Sequence, residues 1–123
     1  MTFGYKTAIY LAMFDRHAER LAQLKPRVLV GQFAGAAGTL ASLGDKGFEV
    51  QQALCEELGL GVPVSTWHVA RDGLAEVMNF FGLVTGSLGK IALDIMMMAS
   101  TAFGQVYAPL VTGRGASSVS STH

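Results

Sequence analysis

Apolar residues in the second half of the chain recur at Leu74, Val77, Phe81, Val84, Leu88, Ile91, Ile95, Met98 and Ala102. The steps alternate between three and four, which keeps one face of a helix against a partner. No proline interrupts residues 66–105, and Asp72 is placed to cap the start. The pattern therefore predicts one long helix of about 50–55 Å ending near Gln105. Its polar residues, Asp72, Glu76, Asn79, Gly86, Ser87, Lys90, Asp94 and Thr101, share one stripe over roughly a quarter of the circumference. The rest is apolar. A helix so oily must be surrounded, and the remaining residues of a 123-residue chain hardly suffice. Other copies of the chain are the expected cover. Gly82, Gly86 and Gly89 cost about 1 kcal/mol each in helix propensity, which makes sense where another backbone comes close.

The first half reads as shorter pieces. Phe3, Tyr10, Phe14, His17, Leu21 and Leu24 lie on one face of a helix predicted over residues 2–24, which Pro26 ends. Val28, Leu29 and Val30 suggest an extended piece. His17 sits at a seam position and reads as a packed histidine. Asp45 is a predicted N-cap for a helix over residues 46–58, with Gly59 as the residue that closes it. Residues 61–64 form a linker. The fold class expected is all-α: a domain over residues 1–105 that assembles into an oligomeric helical bundle, then a polar tail over residues 106–123.

Composition narrows the function classes. Half the residues are hydrophobic, 15% are charged and the mean hydropathy is +0.39, which again favours burial between copies. Nine basic residues balance nine acidic ones, with no basic run, so a nucleic-acid partner is not expected. The charge-free stretch over residues 95–113 is interrupted by Gly104, Gln105 and Pro109, and Lys90 and Asp94 break the run before it, so no membrane span is expected. A lone cysteine, Cys55, suits a reducing cytoplasm and reads as an apolar filler. The three histidines lack the helical spacing of a metal site, so no metal is expected.

Two stretches carry candidate chemistry. Gly31-Gln32-Phe33-Ala34-Gly35-Ala36-Ala37-Gly38-Thr39 is rich in glycine, which admits unusual dihedrals and close ligand approach. It is neither a phosphate loop, lacking Gly-Lys-Ser/Thr, nor a dinucleotide fingerprint, so a binding surface and a structural turn both remain open. Trp67 and His68 stand at the mouth of the long helix beside Arg71. Together these suit a carboxylate; the alternative is an anchoring Trp and an Arg paired with a neighbouring acid.

Three segments together resemble the central helical domain of the fumarase/aspartase superfamily. They are Gly35-Ala-Ala-Gly-Thr-Leu-Ala-Ser-Leu43, Ser65-Thr-Trp-His-Val-Ala-Arg-Asp72 and Gly113-Arg-Gly-Ala-Ser-Ser118. The likeness is strongest to the 3-carboxymuconate cycloisomerase branch, with adenylosuccinate lyases next. The resemblance implies a homotetramer with the long helices of four subunits in one bundle. It also implies elimination or addition chemistry on a small carboxylate substrate, with no cofactor. Thr39, Trp67 and His68 would contact substrate, and Ser117 would stand where the family has its catalytic serine. The family's loop continues with a lysine and an asparagine, whereas here Val119-Ser120-Ser121-Thr122-His123 follow. The expectation is therefore a truncated relative with weak or lost turnover. The alternatives are a non-catalytic oligomeric module, or a hydrolytic activity at an inter-subunit cleft.

Overall fold

A computed structural model describes residues 2–100, 102 and 104–106. Among them the elements are α1 (Phe3–Val28), a 3-10 turn (Ala41–Lys46), α2 (Gly47–Leu58) and α3 (Asp72–Ala99). No strand is formed among these residues; one isolated parallel bridge joins Val30 to Gly61. The all-α expectation holds. The chain divides into two compact units, Met1–Ser87 and Leu88–His123, with the boundary inside α3.

In the first unit, Thr2 caps α1, its hydroxyl accepting from the Tyr5 N–H at 3.2 Å. The helix does not stop at Leu24. It runs through Pro26 to Val28. Proline removes one donor and crowds the carbonyl four residues back. Here neighbouring groups carry the last turn: the Arg27 guanidinium donates to the Gln23 carbonyl at 2.7 Å and the Leu29 N–H to that of Lys25 at 2.9 Å. The extended piece is reduced to Leu29–Gly31, where the Gly61 N–H donates to the Leu29 carbonyl and the Gly31 N–H to that of Gly61, both at 2.8 Å.

Asp45 is not an N-cap. It lies inside the 3-10 turn, and α2 starts after Lys46 with no side-chain cap. Gly59 does close α2, at φ 65°, with its N–H on the Cys55 and Glu56 carbonyls. The α2 core is small: Cys55 is 1% exposed, and buried Gln51 donates to the Phe33 carbonyl at 2.7 Å. That bond fixes α2 to the segment leading into the glycine loop.

α1 meets the start of α3 through side chains. Arg27 forms a two-pronged ion pair with Glu76, with Nε 3.1 and 3.2 Å from the two carboxylate oxygens. The hydrogen bond to Arg27 holds the Glu76 carboxyl below the usual carboxylate range, and the guanidinium's charge adds to it. A carboxyl lowered in the fold binds fewer protons there than in the unfolded chain. Its stabilisation is thus present at neutral pH and lost as pH falls through the lowered value. Both groups are exposed, so the effect is small. Glu76→Gln should lower the urea midpoint slightly at neutral pH and leave it unchanged well below the carboxylate range. Equal loss at both pH values would show a packing effect instead.

In the second unit, α3 ends at Ala99, not near Gln105. The Ser100 hydroxyl takes the Met97 carbonyl at 2.8 Å, a local bond that competes with the helical ladder. Gly104 sits at φ 50°, and the Gln105 and Val106 N–H groups both turn back to the Met98 carbonyl. Met98 is the one residue of α3 that is buried. Leu74, Met78, Phe81, Leu83, Leu88, Leu93, Ile95, Met96 and Met97 are all exposed. A Cβ at Gly82, Gly86 or Gly89 would meet nothing within 4 Å. By length and composition α3 is also apolar enough to cross a membrane.

Candidate carboxylate-binding site

The glycine loop is a chain reversal. Gly35 and Gly38 adopt φ 74° and 77°, in the left-handed region that glycine enters without strain. The Gly38 N–H donates to the Gly35 carbonyl at 3.2 Å and the Leu40 N–H to that of Ala34 at 2.9 Å. The reversal delivers Gly38 to the segment before α3: a Cβ there would lie 3.0 Å from Thr66 Cγ2 and 3.5 Å from His68 Cε1. The two sequence candidates, separated by some thirty residues, therefore meet.

Gln32 holds them in register. Its Oε1 accepts from the Trp67 N–H at 3.1 Å and its Nε2 donates to Thr66 Oγ1 at 3.1 Å. Thr66 Oγ1 is 2.9 Å from His68 Nδ1. The Trp67 indole donates to the Gly31 carbonyl at 2.9 Å, and the Trp67 carbonyl accepts from the Ala70 N–H in the turn that leads to α3. Thr39, following Gly38, is exposed, as are His68 and Arg71; Trp67 is half-buried. The Arg71 side chain has no ion-pair partner among the described residues, so its charge is available. Asp72 is the first residue of α3, and its carboxylate complements the helix dipole there. Trp67 also lines a cleft of about 360 Å³ with Arg27, Leu29, Pro63, Asp72 and Val77.

Sequence reasoning singled out Thr39, Trp67, His68 and Arg71 and missed Gln32 and Thr66. The lost signal was chemical rather than periodic: Gln32 is a polar residue inside an otherwise apolar and glycine-rich run. Ser117 lies outside the described residues, as does the tail over residues 106–123 apart from Val106.

His17 makes no catalytic pair. It is 7% exposed, between the edges of Phe14 and Phe80. Its Nε2 is 2.8 Å from Ser87 Oγ, and Arg20 donates to Nδ1 at 3.3 Å. Arginine only donates, so Nδ1 carries the lone pair and Nε2–H points at the serine. Ser87 in turn gives its hydrogen to the Leu83 carbonyl at 3.1 Å. The polarity is the reverse of a nucleophile–base pair. Among the described residues no group of His, Cys, Asp and Glu could hold a metal.

Comparison with known proteins shows the family. A family model described as Lyase matches residues 1–119. The chain is 48% identical over 118 residues to a 3-carboxy-cis,cis-muconate cycloisomerase of Pseudomonas aeruginosa, covering 96% of this chain and 26% of that protein. It is 45% identical over 109 residues to an adenylosuccinate lyase of Pyrococcus abyssi, covering 88% of this chain and 24% of that one. The crystal structure of a fumarate lyase from Mesorhizobium sp. BNC1 superposes with a TM-score of 0.81 at 59% identity, over 85% of this chain and 25% of that one. The chain belongs to this lyase family of the fumarase superfamily. It spans about a quarter of the length of the relatives it matches.

Proposed function

We propose that this chain is a self-associating helical domain of a carboxylate lyase or cycloisomerase, in a cytoplasmic homotetramer, that binds a small polycarboxylate without a cofactor. Residues 1–105 are the domain, and residues 106–123 carry Ser117 as the candidate catalytic group. The observation that carries the binding site is the meeting of Gly38 with Thr66 and His68. A ligand carboxylate there would have the His68 ring as a donor and Trp67 beside it. The exposed Thr39 hydroxyl and the Arg71 guanidinium, which has no ion-pair partner among the described residues, are the further donors we assign to it. The observation that carries self-association is the bare apolar face of α3. Copies of the chain suit it better than lipid does, because Lys90, Asp94 and Glu76 lie within the helix.

Elimination or addition needs an acid, a base and an oxyanion stabiliser held together. The described residues supply donors for a carboxylate and no base paired with a nucleophile. The 123-residue chain should therefore bind 3-carboxy-cis,cis-muconate in calorimetry while turning it over far more slowly than a full-length cycloisomerase. Comparable turnover would overturn this account of the chemistry. The second reading, a non-catalytic oligomeric module, is favoured by the burial of Met98 alone on α3; it predicts the oligomer without ligand binding. Hydrolysis finds no support in the reversed polarity of His17 and Ser87.

One substitution tests the site. Gly38→Ala puts a methyl 3.0 Å from Thr66 Cγ2 at a φ of 77°, which costs an L residue about 1–2 kcal/mol. Ligand affinity should fall about tenfold or more with helix content unchanged. Unchanged affinity would place the ligand away from Gly38 and overturn the site.

A further inference from the structure

The hydrogen bonds around His68 determine more than its position. Gln32 Oε1 faces the Trp67 N–H, a backbone group that can only donate. This orients the amide, so the NH₂ end must face Thr66 and donate to its oxygen. The Thr66 hydroxyl accepts that bond and keeps one hydrogen to give. His68 Nδ1 lies 2.9 Å away, and no other acceptor for that hydrogen is present among the described residues. Each link in the series Trp67, Gln32, Thr66, His68 thus runs in one direction. Giving that hydrogen to Nδ1 completes the series, leaving the lone pair on Nδ1 and the ring proton on Nε2.

We propose that Gln32 is a positioning residue that acts through Thr66 to set the tautomer of the His68 imidazole, with the proton on Nε2. His68 then meets a substrate carboxylate, or the oxygen of an enolate-like intermediate, as a hydrogen-bond donor and not as the base. This rests on the reading of His68 as a substrate contact. It assigns proton removal to another group, and it makes the identity of residue 32 decisive. Glutamate is nearly the same shape but accepts at both ends. With Gln32→Glu, the Trp67 N–H bond survives, the Thr66 hydroxyl turns to donate to the carboxylate, and Thr66 oxygen becomes the acceptor for an Nδ1–H. The tautomer inverts.

The test is a long-range proton–nitrogen correlation spectrum of the full 123-residue chain with nitrogen-15-labelled histidine. It is recorded without ligand above about pH 8, where an ordinary imidazole is neutral. His68→Gln identifies the His68 signals by their loss. The wild type should show His68 almost wholly in the Nε2–H form, and Gln32→Glu should show mainly Nδ1–H. Thr66→Val should bring His68 to the proportions of a free imidazole, and adding Gln32→Glu to it should change nothing further. An Nδ1–H ring in the wild type, or one indifferent to Gln32→Glu, would overturn the proposal. If Gln32→Glu fails to fold, the wild type against Thr66→Val decides by the same criterion. Because no ligand is present, this result is separate from the binding reading. A correct tautomer with no carboxylate affinity would sink the site assignment, and intact affinity with the wrong tautomer would sink only the role of Gln32.

Discussion

Replacing Phe81, Leu88 and Ile95 together by glutamate should convert the proposed oligomer into a monomer. The three residues are spaced by seven on α3, so they fall on one face. All three are exposed within a single chain. Buried between copies, each would contribute about 1.5–3 kcal/mol of transfer free energy. Losing three per subunit weakens association by at least about a thousandfold, and placing carboxylates in the interface weakens it further. Asn79, Lys90 and Asp94, on the polar stripe, serve as controls: alanine at those positions should leave the mass unchanged. Circular dichroism separates dissociation from unfolding, and light scattering gives the mass. A triple variant that keeps the wild-type mass would remove α3 from the interface.

Gly31→Ala should clearly destabilise the first unit. A Cβ at Gly31 would lie 2.5 Å from Cys55 Sγ, a distance real atoms do not adopt. Cys55 is 1% exposed and has nowhere to go. The Gly31 backbone cannot retreat freely either, since its N–H is bound to the Gly61 carbonyl and its own carbonyl to the Trp67 indole. Overpacking of this kind costs about 1–3 kcal/mol, or about 10 °C in the midpoint of thermal unfolding for a domain of this size. Adding Cys55→Ala removes the sulfur and should restore most of the loss, because the two sites are coupled by one contact. If the double variant is no better than the sum of the singles, the cost lies in the backbone and not in the collision. Since Gly31 holds Trp67, the same variant should also weaken ligand binding.

The long helix and its bare face were legible because period and polarity agree over many turns. The closure of α2 by Gly59 was legible for a local reason, the left-handed φ that glycine adopts without strain. The misreadings were also local. Pro26 carries the signature of a stop, but Arg27 and Leu29 complete the turn around it. Asp45 has the composition of a cap but is spent inside a 3-10 turn. Gln105 marked no boundary, because Ser100 ends α3 by bonding its own last turn. In the site, the resemblance supplied Thr39, Trp67 and His68. No pattern could supply Gln32 and Thr66, whose partnership spans 34 positions and exists only once the glycine loop has reversed the chain.

The central claim is that α3 finds its cover on other copies of the same chain. Mass measured by light scattering on a sizing column, in aqueous buffer without detergent at micromolar concentration, tests it most directly. Four subunits per particle is the predicted result. A monomer that stays folded, or a protein that remains in solution only with detergent or lipid, would contradict it.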